Sequence, residues 1–186
     1  MKDALKSLAR KILSDYSIFW IYRFTEADLP QDAAAPAVEK LGETEAQNLP
    51  EGVIAEQAGF LGEGADAFIT REPSEGQISA ICIYWHGERY ATRNFWPLQP
   101  GEAKLVQIIT DPQYRGKGAA TALIQASSQH MLAQGYLKLY ARVWHSNTPS
   151  LRAFERAGWR RVALALELKR SPHSKGLKIF LPPWRR

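Results

Sequence analysis

The segment Gln113-Tyr114-Arg115-Gly116-Lys117-Gly118-Ala119-Ala120 constrains this chain more than any other. It follows the apolar run Leu105 to Thr110 and opens the helix-compatible stretch Gly118 to Ala133, so it reads as strand, glycine turn and helix N-terminus. Gly116 and Gly118 let the backbone come close to a ligand, and the unpaired amides of a helix start attract an anion through their partial positive charge. The chemistry on offer is anion capture. Taken alone, the motif has an equally good local explanation, because glycine turns precede helices for conformational reasons too. An ATP-binding P-loop is excluded: it needs a glycine five places before Gly116 and a hydroxyl after Lys117, where this chain has Asp111 and Gly118.

A second motif lies downstream. Asn147-Thr148-Pro149-Ser150-Leu151-Arg152-Ala153-Phe154-Glu155-Arg156-Ala157-Gly158-Trp159 supplies a capping residue, a proline in the first turn, a short helix and a terminating glycine. Between the two motifs a strand is predicted at Leu137 to Trp144. In that order, QYRGKG and NTPSLRAFERAGW resemble the two motifs of the GNAT family of N-acetyltransferases, Q/RxxGxG/A and NxxS/AxxxF/YxxxGF/W. The resemblance covers residues 104 to 168 well, and the rest of the chain only by order of elements.

The fold this implies is a single α/β (α+β) acyl-CoA transferase domain over residues 1–186, with a central mixed, mostly antiparallel sheet flanked by helices. Residues 1–15 read as an extra N-terminal amphipathic helix: Leu5, Leu8, Ala9, Ile12 and Leu13 share one face, while Lys2, Lys6, Arg10 and Lys11 lie largely elsewhere. It is expected to dock on its own domain rather than on a membrane surface. Residues 104–168 carry the acyl-CoA-binding motifs, and residues 169–186 a C-terminal hairpin strand and tail. Ser17 to Arg23 reads as a strand. Pieces near Ala37 to Asn48 and Pro50 to Phe60 are helix-compatible, within a variable region from 24 to 66 that the resemblance assigns to the acceptor site. Ala67 to Arg71 and Gln77 to Trp85 read as a hairpin, Arg89 to Phe95 as an extension of its sheet, and Val162 to Leu168 with Leu177 to Leu181 as a second hairpin.

Composition fits one globular domain with a core: 186 residues, 45% apolar and 11% aromatic. No stretch approaches the ~20 continuous apolar residues of a membrane span, and the N-terminus lacks the apolar core of a secretory signal. With Cys82 as its single cysteine, which reads as a small buried hydrophobe, the chain is expected to be cytoplasmic. The net charge of +5 conceals a division. Residues 24 to 66 hold ten carboxylates against Lys40 alone, whereas residues 104 to 186 hold fifteen Lys or Arg against Asp111, Glu155 and Glu167. The basic half suits the phosphates of coenzyme A, and the acidic stretch points to a cationic acceptor, a polyamine or a peptide amine.

By resemblance, acetyl-CoA is the acyl donor and an amine attacks its thioester directly. Backbone groups at Ile108, Ile109 and Thr110 would hold the acyl and pantetheine part. Gln113 and the amides of Arg115, Gly116, Lys117, Gly118, Ala119, Ala120 and Thr121 would bind the pyrophosphate. Asn147, Ser150 and Phe154 would contact the cofactor arm, with helix capping as the equal alternative for Asn147. The family often places a tyrosine at the position of Phe154 as acid to the departing thiolate. Phenylalanine donates no proton, so Tyr140 or a water would have to serve. A general base is not obvious: the candidates are His145, His86 and Glu102. His86 reads as part of a turn, Glu102 as a loop cap. No metal-ligand spacing is present.

The expected partner is a small-molecule or peptide amine, with a homodimer admitted by the exposed strand edges of the implied fold. Two other readings compete. A non-catalytic acyl-CoA-binding or regulatory domain is motivated by Phe154 and the missing base. Nucleic-acid binding is motivated by the basic half with Tyr136, Tyr140, Trp144 and Trp159. Those aromatics alternate with apolar residues, which favours placement on a sheet, and nucleic acid is not the expected partner.

Overall fold

All eight residues of Ile78–Trp85 are buried. A strand with no exposed side must lie inside a sheet covered on both faces. The computed structural model describes residues 15–29, 38–49, 51–74, 76–91, 95–169 and 177–183. Its strands are β1 (Asp15–Phe24), β2 (Glu39–Lys40), β3 (Ala65–Arg71), β4 (Ile78–Trp85), β5 (Glu102–Thr110), β6 (Lys138–Trp144), β7 (Arg160–Lys169) and β8 (Leu177–Leu181). They form one sheet in the order β2-β3-β4-β5-β6-β1-β7-β8. Only β5 and β6 run parallel; every other neighbouring pair is antiparallel. A parallel pair needs a crossover, and the 15-residue helix Ala119–Ala133 provides it. This is the mixed, mostly antiparallel sheet with flanking helices that the motifs imply.

The helices are α1 (Glu43–Gln47), α2 (Gly87–Ala91), α3 (Ala119–Ala133) and α4 (Thr148–Arg156). α3 buries Leu123, Ile124, Ala126, Ser127, Ser128 and Met131, and with α4 it covers one sheet face in a core that includes Phe24, Phe68, Leu105, Phe154 and Trp159. Two serines on a buried helix face need partners, and they have them. The Tyr84 hydroxyl lies 3.0 Å from Ser127 Oγ and 3.2 Å from Ser128 Oγ, Cys82 Sγ donates to Ser127 Oγ at 3.3 Å, and Trp159 Nε1 donates to Ser128 Oγ at 3.1 Å. Burial pushes the Cys82 thiol up to about 12 and raises the Tyr84 phenol as well, so both stay neutral. Cys82 is the buried small residue its sequence context suggested.

Ser17 to Arg23 was legible as a strand, but β1 takes an interior place, paired with β6 on one side and β7 on the other. Its residues explain that place: Phe19 and Ile21 enter the core on one face, Tyr22 and Phe24 the core on the other. Both expected hairpins form, β3 with β4 and β7 with β8. Two expectations fail. Residues 89 to 91 belong to α2, not to a strand: the chain turns at Gly87 with φ 52°, and the Arg89 guanidinium donates to the carbonyls of Gly59, Leu61 and Glu63. Within 37 to 60 only α1 and the 3-10 turn Ala55–Phe60 are helical, and Glu39–Lys40 instead pairs with β3. Of the N-terminal helix expected over residues 1–15, residues 1–14 lie outside the described residues, and Asp15 begins β1.

Candidate active site

β5 behaves differently at its two ends. From Glu102 to Leu105 it is zipped in parallel to Lys138–Ala141 of β6. There the pairing stops, while β5 continues to Thr110 and β6 to Trp144. On its other side β5 meets β4 with Gln107 opposite Ile83 but Leu105 opposite Tyr84. Val106 is therefore an extra residue, a bulge, and a bulge bends and twists its strand. The two strands part where the bulge lies. β6 follows β1 away, with Trp144 opposite Phe19, and the β5 edge from Val106 onward faces an opening with no strand partner on that side among the described residues.

Two cavities occupy this opening and meet at Ile108, Asn147, Ser150 and Phe154. The first, about 770 Å³, runs from Ile108–Thr110 to the start of α3, a size in the usual range for ligand sites. Gly118 caps α3 in the left-handed region at φ 85°, and Gly116 has φ 79°. A Cβ built on either glycine would meet nothing within 4 Å. The turn thus holds open space in front of the first amides of α3, and no side chain caps them. Asp111 shapes the approach: its Oδ1 accepts the Gln113 N–H at 3.0 Å, starting the 3-10 turn Pro112–Tyr114. Arg115, Arg152 and Arg156 line this cavity, and among the described residues no carboxylate does. Vacant glycine backbone, a helix start and three guanidinium groups fit a diphosphate.

The second cavity, about 540 Å³, is built from side chains far apart in sequence. Phe60 reaches it from the variable region, with its carbonyl held at 2.8 Å by Trp85 Nε1. Gln107 reaches it from β5, with its amide donating to Gln57 Oε1 at 2.6 Å. Phe95 is fixed by a loop wound around one phenol: the Tyr90 hydroxyl accepts the N–H groups of Phe95 (3.2 Å) and Trp96 (2.9 Å) and donates to the Trp96 carbonyl (2.8 Å). Lys104, Arg142 and Lys178 bring positive charge, and Glu167 is the one carboxylate lining this cavity among the described residues. Nothing in the sequence marked these residues as a group, since they come from six separate segments.

Of the residues expected to bind the donor, Ile108, Ile109, Thr110, Arg115, Gly116, Gly118, Ala119, Ala120, Thr121, Asn147, Ser150 and Phe154 line the first cavity. Gln113 and Lys117 do not; the Lys117 ammonium lies 5.5 Å from the Tyr114 ring centre. Asn147 is a helix cap, with Oδ1 accepting the Ser150 N–H at 3.3 Å, and it also lines both cavities.

The residues expected to move protons are not gathered there. Glu102 is buried at the closed end of β5, where its carboxylate accepts the Gln99 N–H and a 3.0 Å bond from Lys138, the loop-capping role its context predicted. Tyr140 is buried beside Trp96 in the core on the far face. His145 is exposed, its Nδ1 3.2 Å from the Ile18 carbonyl. His86 pairs with Asp66 at 3.2 Å. Phe154, at the usual tyrosine position, is buried between Tyr22 and Trp159. The acidic stretch is likewise engaged elsewhere: Glu39 and Glu45 hold Arg71, Asp66 holds Lys40, and Asp28 holds Arg160. None of its described carboxylates lines either cavity, so the cationic acceptor it pointed to has no support in the site.

A model of the acetyltransferase (GNAT) family matches residues 24–159. Among solved structures, the fold is shared with a protein described as a GNAT-family acetyltransferase from Novosphingobium aromaticivorans (TM-score 0.62, 19% identity, covering 86% of this chain and 67% of that one). It is shared also with a GNAT-family acetyltransferase from Colwellia psychrerythraea (0.62, 16%, 90% and 62%), and with a GCN5-related N-acetyltransferase from Sphaerobacter thermophilus (0.55, 15%, 92% and 57%). This chain therefore spans roughly three fifths to two thirds of the length of those proteins. No curated protein matches the sequence. No helix among the described residues is long and apolar enough to cross a membrane. The family model spans most of the chain, and the chain belongs to the GNAT acetyltransferase family.

Proposed function

We propose that the protein transfers an acetyl group from acetyl-CoA to an amine by direct attack, across the point where the two cavities meet. The observation that carries this reading is the parting of β5 from β6 at Leu105 and Ala141, which leaves a strand edge between a phosphate-suited cradle and a second cavity. Acetyl-CoA, the donor used by this family, supplies an activated thioester. Its diphosphate would sit on the amides from Arg115 to Thr121, and Arg152 and Arg156 would add charge. The β5 edge from Val106 to Thr110 would hold the acyl and pantetheine part. Fixed backbone donors suit the negative charge that develops on the acyl oxygen, because they need no reorganisation.

The attacking nitrogen enters as an ammonium and loses one proton, its lone pair forms the C–N bond as the C–S bond breaks, and a second proton leaves the nitrogen. Phe154 cannot supply a proton to the thiolate, but a thiol pKa of about 8.5 makes thiolate a tolerable leaving group without an acid. Of the four proton-transfer candidates, His145 is the one to test, because it follows Trp144, which lines the second cavity. The second reading is non-catalytic acyl-CoA binding, favoured because His145, Tyr140 and Glu102 line neither cavity. Calorimetric titration with acetyl-CoA, then free-thiol detection as amines are added, separates the two. Binding with thiol release is expected. Binding without release favours the non-catalytic reading, and no binding by a folded sample overturns the donor assignment.

A further inference from the structure

The second cavity carries a charge opposite to the one the acidic stretch of the sequence led us to expect. Lys104, Arg142 and Lys178 line it, with Glu167 the one carboxylate among the described residues. They also converge on one ring: Arg142 Cζ lies 4.4 Å from the centre of Phe95, Lys178 Nζ 5.1 Å and Lys104 Nζ 5.3 Å. Each cation therefore sits within roughly one Debye length, about 10 Å, of the others. The ring face attracts each of them. Their positions are set by the scaffold. Arg142 is sandwiched between Phe19 and Phe95, 4.4 Å from each ring centre, and Lys104 is only 6% exposed. Cations fixed around a concave, partly apolar cavity focus a positive potential into it.

The donor does not need this charge, since Arg115, Arg152 and Arg156 already serve the first cavity. Beside the cations stand Phe60 and Trp144, the latter 48% exposed, which offer a wall for hydrocarbon.

We infer that the acceptor is a small amine that itself bears an anion, a carboxylate or a phosphate, held by Arg142, Lys104 and Lys178. The inference rests on the transferase reading above. The anion is untouched by the reaction: the acceptor ammonium gives up two protons, one to the departing thiolate and one to solvent, and its nitrogen takes the acetyl group. A polycation is repelled by the same three residues.

Matched acceptors that differ only in the anion test this by thiol release: phenylalanine against phenylalanine amide, aminoethyl phosphate against ethanolamine, and spermidine as the polycation. The anionic member of at least one pair is expected to have a kcat/KM about tenfold higher or more, a scale set by a charge-assisted contact of about 1.4 kcal/mol or more. The pair that shows the preference identifies carboxylate or phosphate. Arg142→Gln should abolish the preference through the acceptor KM, with acetyl-CoA affinity unchanged by calorimetry. Lys178→Glu, on the exposed strand β8, gives the same readout without disturbing the stacked guanidinium. Equal or better turnover of the neutral partners or of spermidine overturns the inference, as does an unchanged preference in both variants. Calorimetry of each acceptor in the presence of coenzyme A separates the two levels. Anions that bind better than their neutral partners while no thiol is released uphold the charge selection and overturn the transferase reading; absence of both overturns both.

Discussion

The two cavities that meet at Ile108 are made of different material. The first takes one end from local backbone, the edge of β5 and a helix start behind two glycines, and its other end from α4. The second is lined by side chains such as Phe60, Phe95, Lys104, Arg142, Glu167 and Lys178, delivered from segments scattered along the chain. Backbone geometry tolerates change in almost every side chain except the glycines, whereas a side-chain lining can be rewritten one residue at a time. On the transferase reading proposed above, the contrast separates a part of the molecule that would fix the reaction from a part that would choose the substrate.

The largest expected effect comes from attacking the backbone side. Gly118→Val forces a β-branched residue to φ 85° and fills the open space before α3. Left-handed backbone costs about 1–2 kcal/mol for an ordinary residue, and acetyl-CoA affinity should fall on the order of a hundredfold once the cradle is blocked as well. Circular dichroism checks that the variant is folded. A folded variant with unchanged affinity breaks the backbone assignment.

Leu123→Ala is the control that respects neither side. Leu123 is fully buried in the core beneath α3, so stability should drop by about 2–5 kcal/mol. Denaturant titration measures the loss, and both ligand affinities should remain near wild type below the transition. Selective loss at one cavity would show that core and site are not separable.

Alkaline pH tests the same core. The Cys82 thiol goes from 9.0 to about 12 on burial. Above pH 9 the unfolded chain releases this proton and the folded chain keeps it, so the unfolded state binds fewer protons. Stability should fall as pH rises from 9 toward 12, by up to about 1.4 kcal/mol per pH unit from this group. Melting curves of Cys82→Ala should decline less steeply than wild type over that range; parallel declines would assign the effect to other groups.

Asn147→Ala gives the smallest expected change, about 1 kcal/mol of stability from the lost cap, together with weaker ligand binding because Asn147 lines both cavities. Asn147→Asp restores the cap without the amide donors. Full recovery of binding in that variant would make the cap its whole role.

These differences also explain what the sequence could and could not disclose. The strand, glycine turn and helix from Lys104 to Ala133 were readable because their chemistry is local: Gly116 and Gly118, just ahead of the helix, announce a conformation and a ligand in the same letters. The alternation of Leu139, Ala141 and Val143 placed β6 for the same reason. The interior position of β1 was not readable, because pairing with β6 and β7 is a choice among distant partners that SIFWIYR alone does not encode. Arg89 looked strand-like until its guanidinium is seen binding three carbonyls 26 to 30 residues away. The charged lining of the second cavity was not readable, because net charge along a segment says nothing about where its carboxylates point. Glu39, Glu45, Asp28 and Asp66 all answer cations outside the site.

Amide hydrogen exchange with and without acetyl-CoA tests the central contrast most directly. The account predicts slowed exchange at the amides of Arg115 to Thr121 and along Val106 to Thr110, with little change in β7 and β8. Protection confined to β7 and β8, or none at residues 115 to 121 in a sample that binds acetyl-CoA, would contradict it.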